Sequence, residues 1–188
     1  MSKVIRRSPI IKGWSSLDEI VVRHPDESTW RRTVEHHGVS SAVLPYDEDR
    51  KTCILVSMPR PAVLLAEQGA HLLELPAGMV DDEESYEAAA RREALEEAGL
   101  QLGELELVVK LWTMPGLSTE RVAIFLAPYA TQDRIAAGGG IEEENEQIVV
   151  HELTLSFLGR LAVSGTLEDG KTLIAAQALM LKRPELFK

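Results

Sequence analysis

One acidic segment, GMVDDEESYEAAARREALEEAGL at residues 78–100, constrains this chain more than any other stretch. Its central alanines have high helix propensity, Ser85 is a residue type that caps a first turn, and Gly99 is placed to end a helix in the left-handed conformation. The segment therefore predicts a helix over residues 85–98.

Three glutamates near the end of this helix form a like-charged cluster. Glu93, Glu96 and Glu97 stand at i, i+3 and i+4, so their carboxylates share one patch of the helix surface. Such pairs cost about 0.2–0.5 kcal/mol each on an isolated helix, and they lie at the unfavourable end of the helix dipole for anions. Compact oxygen-only ligands suit hard cations, Mg²⁺ or alternatively Mn²⁺. An ordinary solvated helix face, partly neutralised by Arg91 and Arg92, is the competing interpretation.

Composition restricts the partners of the chain. Its 188 residues carry a net charge of -10, which repels nucleic-acid polymers and anionic membranes unless cations intervene. Cys53 has no second cysteine to pair with, and no stretch has the pattern of a secretion signal or reaches the length of a membrane span. We therefore expect a cytoplasmic protein that binds neither nucleic-acid polymers nor membranes.

The order of β-prone and helical patterns predicts an α/β fold. Residues 17–37 suggest paired strands, and further strands are expected before and after the acidic helix, one of them in HLLELPAG at 71–78. Two helices are expected at residues 154–164 and 170–182, the second capped by Asp169. A glycine-rich acidic stretch at 131–147 is predicted to be a mobile loop. Helices should therefore cover a mixed sheet.

The spacing of Gly78, Glu84, Arg92, Glu93, Glu96, Glu97 and Gly99 resembles the Nudix box, the signature of Nudix hydrolases. The resemblance implies an α/β/α sandwich and a divalent-metal site, with Glu93, Glu96, Glu97 and the Ala77 carbonyl as ligands and Glu93 and Glu97 serving catalysis. It also implies that Glu84 and Arg92 form a buried pair that fixes the loop onto the helix, with Gly78 and Gly99 structural in the motif. Ala94 departs from the motif, which usually has a bulkier aliphatic residue there.

Further segments, including MPGLSTERVAIFLA at residues 114–127, resemble the ADP-ribose and GDP-mannose pyrophosphatase branch of that family. This implies a homodimer that hydrolyses a nucleoside diphosphate sugar, with residues 1–38 as a dimer-forming β extension and 39–188 as the Nudix domain. The resemblance assigns Glu144 as general base, Glu146 as a further metal ligand, and five substrate-binding residues: Trp30, Glu35, Arg60, Pro115 and Gly116. A non-catalytic nucleotide-binding module and a dinucleoside polyphosphate or CoA pyrophosphatase remain alternatives.

Overall fold

The structure is a computed structural model that describes residues 1–67, 69, 71–140 and 147–188. Within these residues the chain forms nine strands and four α-helices. The strands are β1 (Lys3–Ile11), β2 (Ser16–Arg23), β3 (Thr29–His36), β4 (Ser40–Asp47), β5 (Thr52–Ser57), β6 (Ala77–Met79), β7 (Glu106–Trp112), β8 (Arg121–Pro128) and β9 (Val149–Thr154). The helices are α1 (Pro61–Ala66), α2 (Tyr86–Ala98), α3 (Leu155–Ser164) and α4 (Gly170–Lys182).

Contacts within the chain define two compact units. The first comprises residues 1–39 and 110–122, and the second comprises residues 40–109 and 123–188. A compact unit is not by itself an independently folding domain. The boundary between residues 38 and 39 that the sequence predicts therefore remains a proposal.

The N-terminal sheet has the antiparallel order β1-β2-β3. Strands β2 and β3 correspond to the pair predicted in residues 17–37, but the sequence pattern does not predict β1. Pro9 interrupts the hydrophobic pattern of β1 and cannot donate a backbone hydrogen bond, which is tolerated because β1 lies at the edge of its sheet.

The larger sheet has the order β7-β8-β4-β5-β9, with β6 paired to β4. Every residue of β4 is buried, so both of its faces are covered. Helix α2 packs the stripe Ala90, Ala94 and Ala98 into a core with Ile54 and Phe125. Helix α4 contacts β4, and α3 contacts β9 and α4. Helices packed against a mixed sheet confirm the predicted α/β class.

Strand β6 is shorter and begins later than the sequence predicts. The predicted strand in residues 71–78 includes Pro76, which has no N–H to donate, and the regular ladder to β4 starts at the next residue, Ala77. Before the proline, only an isolated bridge between Glu74 and Val56 is present. With this late start, Gly78 lies in the middle of the ladder, opposite Ser41.

Candidate active site

Helix α2 has the two ends that the sequence predicts. The Ser85 hydroxyl accepts a hydrogen bond from the Ala88 N–H at 3.1 Å, which caps the first turn. At the other end Gly99 adopts a left-handed φ of 71°, and its N–H donates to the carbonyls of Ala94 and Leu95. These ends fix the register in which the helix presents its glutamates.

The glutamate cluster lies against strand β6. Glu93 and Glu97 are buried, with 9% and 3% of their surface exposed, and Glu96 is half-buried. A carboxylate oxygen of Glu97 accepts a hydrogen bond from the Ala77 N–H at 2.9 Å. A Cβ added to Gly78 would come within 1.9 Å of Glu93 Oε1. Gly78 is therefore needed because a side chain there would occupy the position of the Glu93 carboxylate.

Arg92 is the counter-charge within this cluster. Its Nε and Nη2 donate to the two carboxylate oxygens of Glu84 at 3.2 and 3.0 Å, and Nη2 also donates to the Met79 carbonyl. Its Nη1 donates to Glu93 at 2.7 Å and to Glu96 at 3.1 Å. The hydrogen bonds from Arg92 lower the pKa of Glu84, and the same bonds raise the pKa of Arg92. The pair that the motif implies is thus present, although half-buried.

The donor atoms of the cluster suit a hard divalent cation. In the part of the chain that the structure describes, no three His, Cys, Asp or Glu side chains are grouped as a ready-made metal site. The glutamates nevertheless provide carboxylate oxygens at one end of the helix, the donor chemistry that Mg²⁺ prefers. A cation among Glu93, Glu96 and Glu97 would compete with the hydrogen bonds that Arg92 Nη1 donates to Glu93 and Glu96. The bonds from Nε and Nη2 to Glu84 use other atoms and can persist.

The predicted general base Glu144 and the predicted metal ligand Glu146 lie outside the described residues. The glycines that precede them do not behave as expected. Instead of forming a free loop, Gly139 and Gly140 donate their N–H groups to the carbonyls of Glu97 and Glu96 at the end of α2. Unpaired carbonyls at a helix end attract such donors, so this part of the predicted mobile loop is docked.

Arg60 belongs to an ion-pair network that the sequence does not predict. Its Nε and Nη2 donate to both carboxylate oxygens of buried Glu74, at 2.7 and 3.1 Å. Lys171 bridges Glu74 at 3.3 Å and Asp169 at 2.8 Å. The only local signal is Glu74 itself, a single acid in the apolar run HLLELP. A phosphate-binding role for Arg60 stays a prediction, and its guanidinium already has a carboxylate partner.

Glu35 and the turn around Pro115 and Gly116 come together within the first unit. The Glu35 carboxylate accepts hydrogen bonds from Ser15, from Ser118 at 2.7 Å, and it also contacts His37 Nδ1 at 2.6 Å. Burial alone would raise the pKa of Glu35, but these hydrogen bonds lower it. The structure therefore joins Glu35 to Leu117 and Ser118, the residues that directly follow Pro115 and Gly116.

Trp30, another predicted substrate-binding residue, already has partners for its ring. His24 stacks on it with ring centroids 5.9 Å apart, and the Arg32 guanidinium lies 4.4 Å from the ring centroid. A guanidinium over an indole is a favourable cation–π contact. Stacking of a nucleobase on Trp30 would therefore compete with these neighbours.

Comparison with known proteins agrees with this motif and fold. The NUDIX domain model matches residues 36–158, which include the whole acidic helix. The chain therefore belongs to the NUDIX family, and it is a hydrolase. Members of this family generally use divalent metals such as Mg²⁺. No helix in the described residues is long and apolar enough to cross a membrane.

Several relatives are GDP-mannose pyrophosphatases. The enzyme of Salmonella typhimurium is 36% identical over 155 residues, which cover 82% of this chain and 76% of that protein. The enzyme of Escherichia coli O1:K1 is 32% identical over 165 residues, covering 87% and 82%. Among solved structures, an ADP compounds hydrolase aligns with a TM-score of 0.77 over 98% of this chain and 95% of that one, at 14% identity. That likeness shows the fold.

Proposed function

We propose that this chain catalyses Mg²⁺-dependent hydrolysis of the pyrophosphate bond of a nucleoside diphosphate sugar, releasing a nucleoside monophosphate and a sugar phosphate. The observation that carries the proposal is the cluster of Glu93, Glu96 and Glu97 on one helix end, two of them buried against β6, with Arg92 Nη1 donating to Glu93 and Glu96. The names of the relatives, GDP-mannose pyrophosphatase and ADP compounds hydrolase, support the substrate class.

The metal would be held by the carboxylates of Glu93, Glu96 and Glu97, the Ala77 carbonyl and Glu146, and Mn²⁺ is an alternative ion. When bound, the ion supplies positive charge that neutralises the pyrophosphate oxygens and lowers the pKa of coordinated water. This explains how a chain of net charge -10 binds a polyanionic substrate. Arg92 holds the loop through Glu84 in both states.

In the reaction, a water oxygen forms a bond to one phosphorus while the bond from that phosphorus to the bridging oxygen breaks. The bridging oxygen leaves with the other phosphate, and Glu144 accepts the proton of the attacking water. Glu93 and Glu97 would serve the same step by holding the divalent ion that neutralises the pyrophosphate oxygens. Arg60, Trp30, Glu35, Pro115 and Gly116 contribute substrate contacts, and the active form is a cytoplasmic homodimer.

A substrate panel tests this function. GDP-mannose, ADP-ribose, a dinucleoside polyphosphate and CoA are incubated with the protein, with and without Mg²⁺, and the products are separated by chromatography. We expect GMP or AMP from a nucleotide sugar only when Mg²⁺ is present. Preference for dinucleoside polyphosphate or CoA would move the chain to another hydrolase class, and tight binding of every nucleotide without turnover would identify a binding module instead.

A further inference from the structure

The last turn of helix α2 carries two of the three clustered glutamates, and its end is closed by another part of the chain. A helix leaves its final carbonyls without partners from within the helix. Residues 135–140, which we call the glycine clamp, supply backbone donors: Gly139 to Glu97 (2.9 Å), Gly140 to Glu96 (3.1 Å), and Ile135 and Ala136 to Gly99 (2.9 and 3.2 Å). The backbone of the metal-site glutamates is thus bonded directly to this segment.

Glycine is required at this junction because two backbones approach too closely for any side chain. Gly138 has a φ of 73°, and a Cβ there would lie 2.4 Å from the Glu97 carbonyl oxygen and 2.7 Å from the Ala98 carbonyl carbon. On the helix side, a Cβ at Gly99 would lie 2.1 Å from the Ala136 oxygen. These neighbours are backbone atoms, so no flexible side chain can move aside.

The helix end needs such support because its own sequence weakens it. Glu93, Glu96 and Glu97 repel one another and face the negative end of the helix dipole. Arg92, one turn earlier, offsets part of this charge by donating to Glu93 and Glu96, but the last turn itself contains no basic residue. An end held only by helix hydrogen bonds would fray, and fraying moves Glu96 and Glu97 first because they lie in the final turn.

We infer that the glycine clamp is a positioning element, which holds the last turn of α2 in register so that Glu96 and Glu97 keep the geometry needed to bind a divalent cation. The inference rests on the proposed function for its metal. The clamp acts through the backbone and contributes no ligand. Its effect therefore falls on cation affinity before it falls on any step of hydrolysis.

The test compares Gly138→Ala with Gly165→Ala. Gly165 ends α3 with a nearly equal φ of 78° but has no atom within 4 Å of an added Cβ. Both changes strain a left-handed backbone, and only the first pushes against Glu97. Mn²⁺ binding to the protein alone, titrated by electron paramagnetic resonance, should weaken tenfold or more in Gly138→Ala and less than twofold in Gly165→Ala. Equal affinities in wild type and both variants would overturn the inference.

Amide hydrogen exchange of the unaltered protein provides a second test should Gly138→Ala fail to fold. The N–H groups of Gly139 and Gly140 should exchange at least a hundredfold more slowly than in an unstructured chain, and exchange at the unprotected rate would overturn the inference. The outcomes separate the two proposals. If the protein binds Mn²⁺ but hydrolyses no nucleotide sugar, the proposed function is refuted and the inference about the clamp is not. If the protein hydrolyses a nucleotide sugar but Gly138→Ala binds Mn²⁺ as tightly as wild type, the inference about the clamp is refuted and the proposed function is not.

Discussion

At the scale of single residues, the site depends on which atoms of Arg92 contact which carboxylate. Two of its nitrogens bind Glu84 and the third binds Glu93 and Glu96. A planar guanidinium can serve both groups because its donors point in fixed, separate directions. We therefore propose two roles for the arginine: it fixes the loop through Glu84, and it balances the charge of Glu93 and Glu96 when no divalent ion is bound.

Gly78→Ala tests the packing of the loop against the cluster. The new methyl group would meet the Glu93 carboxylate, the end of a flexible side chain, and Gly78 has no left-handed φ to strain. Hydrolysis should fall by about tenfold or more because the Glu93 carboxylate is displaced, while the free energy of unfolding falls by only about 1 kcal/mol. Steady-state kinetics and urea denaturation measure the two effects.

Gly103→Ala is the matched control, since Gly103 also lacks a left-handed φ and an added Cβ there has no atom within 4 Å. Gly103→Ala should leave the rate of hydrolysis and the free energy of unfolding unchanged. Full activity in Gly78→Ala would show that the position of the Glu93 carboxylate in this structure does not matter for hydrolysis.

The residues of the motif could be found from sequence because their spacing within one local segment encodes their arrangement. A helix converts i, i+3 and i+4 directly into neighbours. The Glu74 network could not be found in this way, since its partners Arg60 and Lys171 are 14 and 97 residues away along the chain. Only the tertiary fold brings these charges together.

At the scale of elements, the N-terminus of helix α4 is tied to the segment that leads into the site. Asp169 caps the helix by accepting from the Thr172 N–H at 2.9 Å, and the Thr172 hydroxyl accepts from the Leu75 N–H at 2.9 Å. The sequence predicts the cap correctly. It does not predict that the capped turn also holds Leu75, two residues before β6.

Asp169→Asn tests the charge of this cap, because asparagine caps a helix about as well as aspartate. Burial alone would raise the pKa of Asp169, but the charge and hydrogen bond of Lys171 lower it below its ordinary value of 3.8. Burial alone would lower the pKa of Lys171, but Asp169 and Glu74 raise it above its ordinary value of 10.5. Both charges are therefore present over the whole neutral range.

A carboxylate with a lowered pKa stabilises the fold above its unfolded value, and this contribution disappears as the pH falls through the folded value. The variant should be less stable by about 1–3 kcal/mol near neutral pH. That difference should stay constant from about pH 5 to pH 9 and shrink once the pH falls below 3.8. Urea denaturation across pH measures it, and a difference that is unchanged or larger in acid would refute the assignment.

The glycine-rich stretch shows why local composition misleads about one element. Glycines beside acids predict a mobile loop, yet Gly138 lies where only glycine allows the chain to approach the end of α2. Glycine can make a loop flexible, but because it has no Cβ it can also let two backbone segments pack closely together. A single sequence contains no information that separates these two uses.

At the scale of the whole molecule, the family match and the compact units do not share boundaries. The NUDIX match covers residues 36–158, whereas the first compact unit includes residues 1–39 and 110–122. The helices α3 and α4 were nevertheless predicted from sequence, since each has a helical pattern of its own and Asp169 also marks the start of α4. Strand β1, with eight of nine residues exposed, has no such pattern.

The proposed homodimer is tested by light scattering at several protein concentrations. The mass should be about 42 kDa, twice the chain mass of 20.8 kDa, and it should remain constant on dilution through the micromolar range. Symmetric dimers are the commonest assembly of soluble proteins. A mass of one chain at every concentration would refute the proposal without affecting the metal site.

The central claim is that Glu93, Glu96 and Glu97 work together only with a divalent cation. The most direct measurement is the rate of nucleotide-sugar hydrolysis after removal of metal with EDTA and stepwise return of Mg²⁺, for wild type, Glu97→Gln and, as a control on the same helix, Glu87→Gln. We expect no hydrolysis without metal, recovery with Mg²⁺ in wild type and Glu87→Gln, and no recovery in Glu97→Gln. Hydrolysis that survives EDTA, or full activity in Glu97→Gln, would contradict the account.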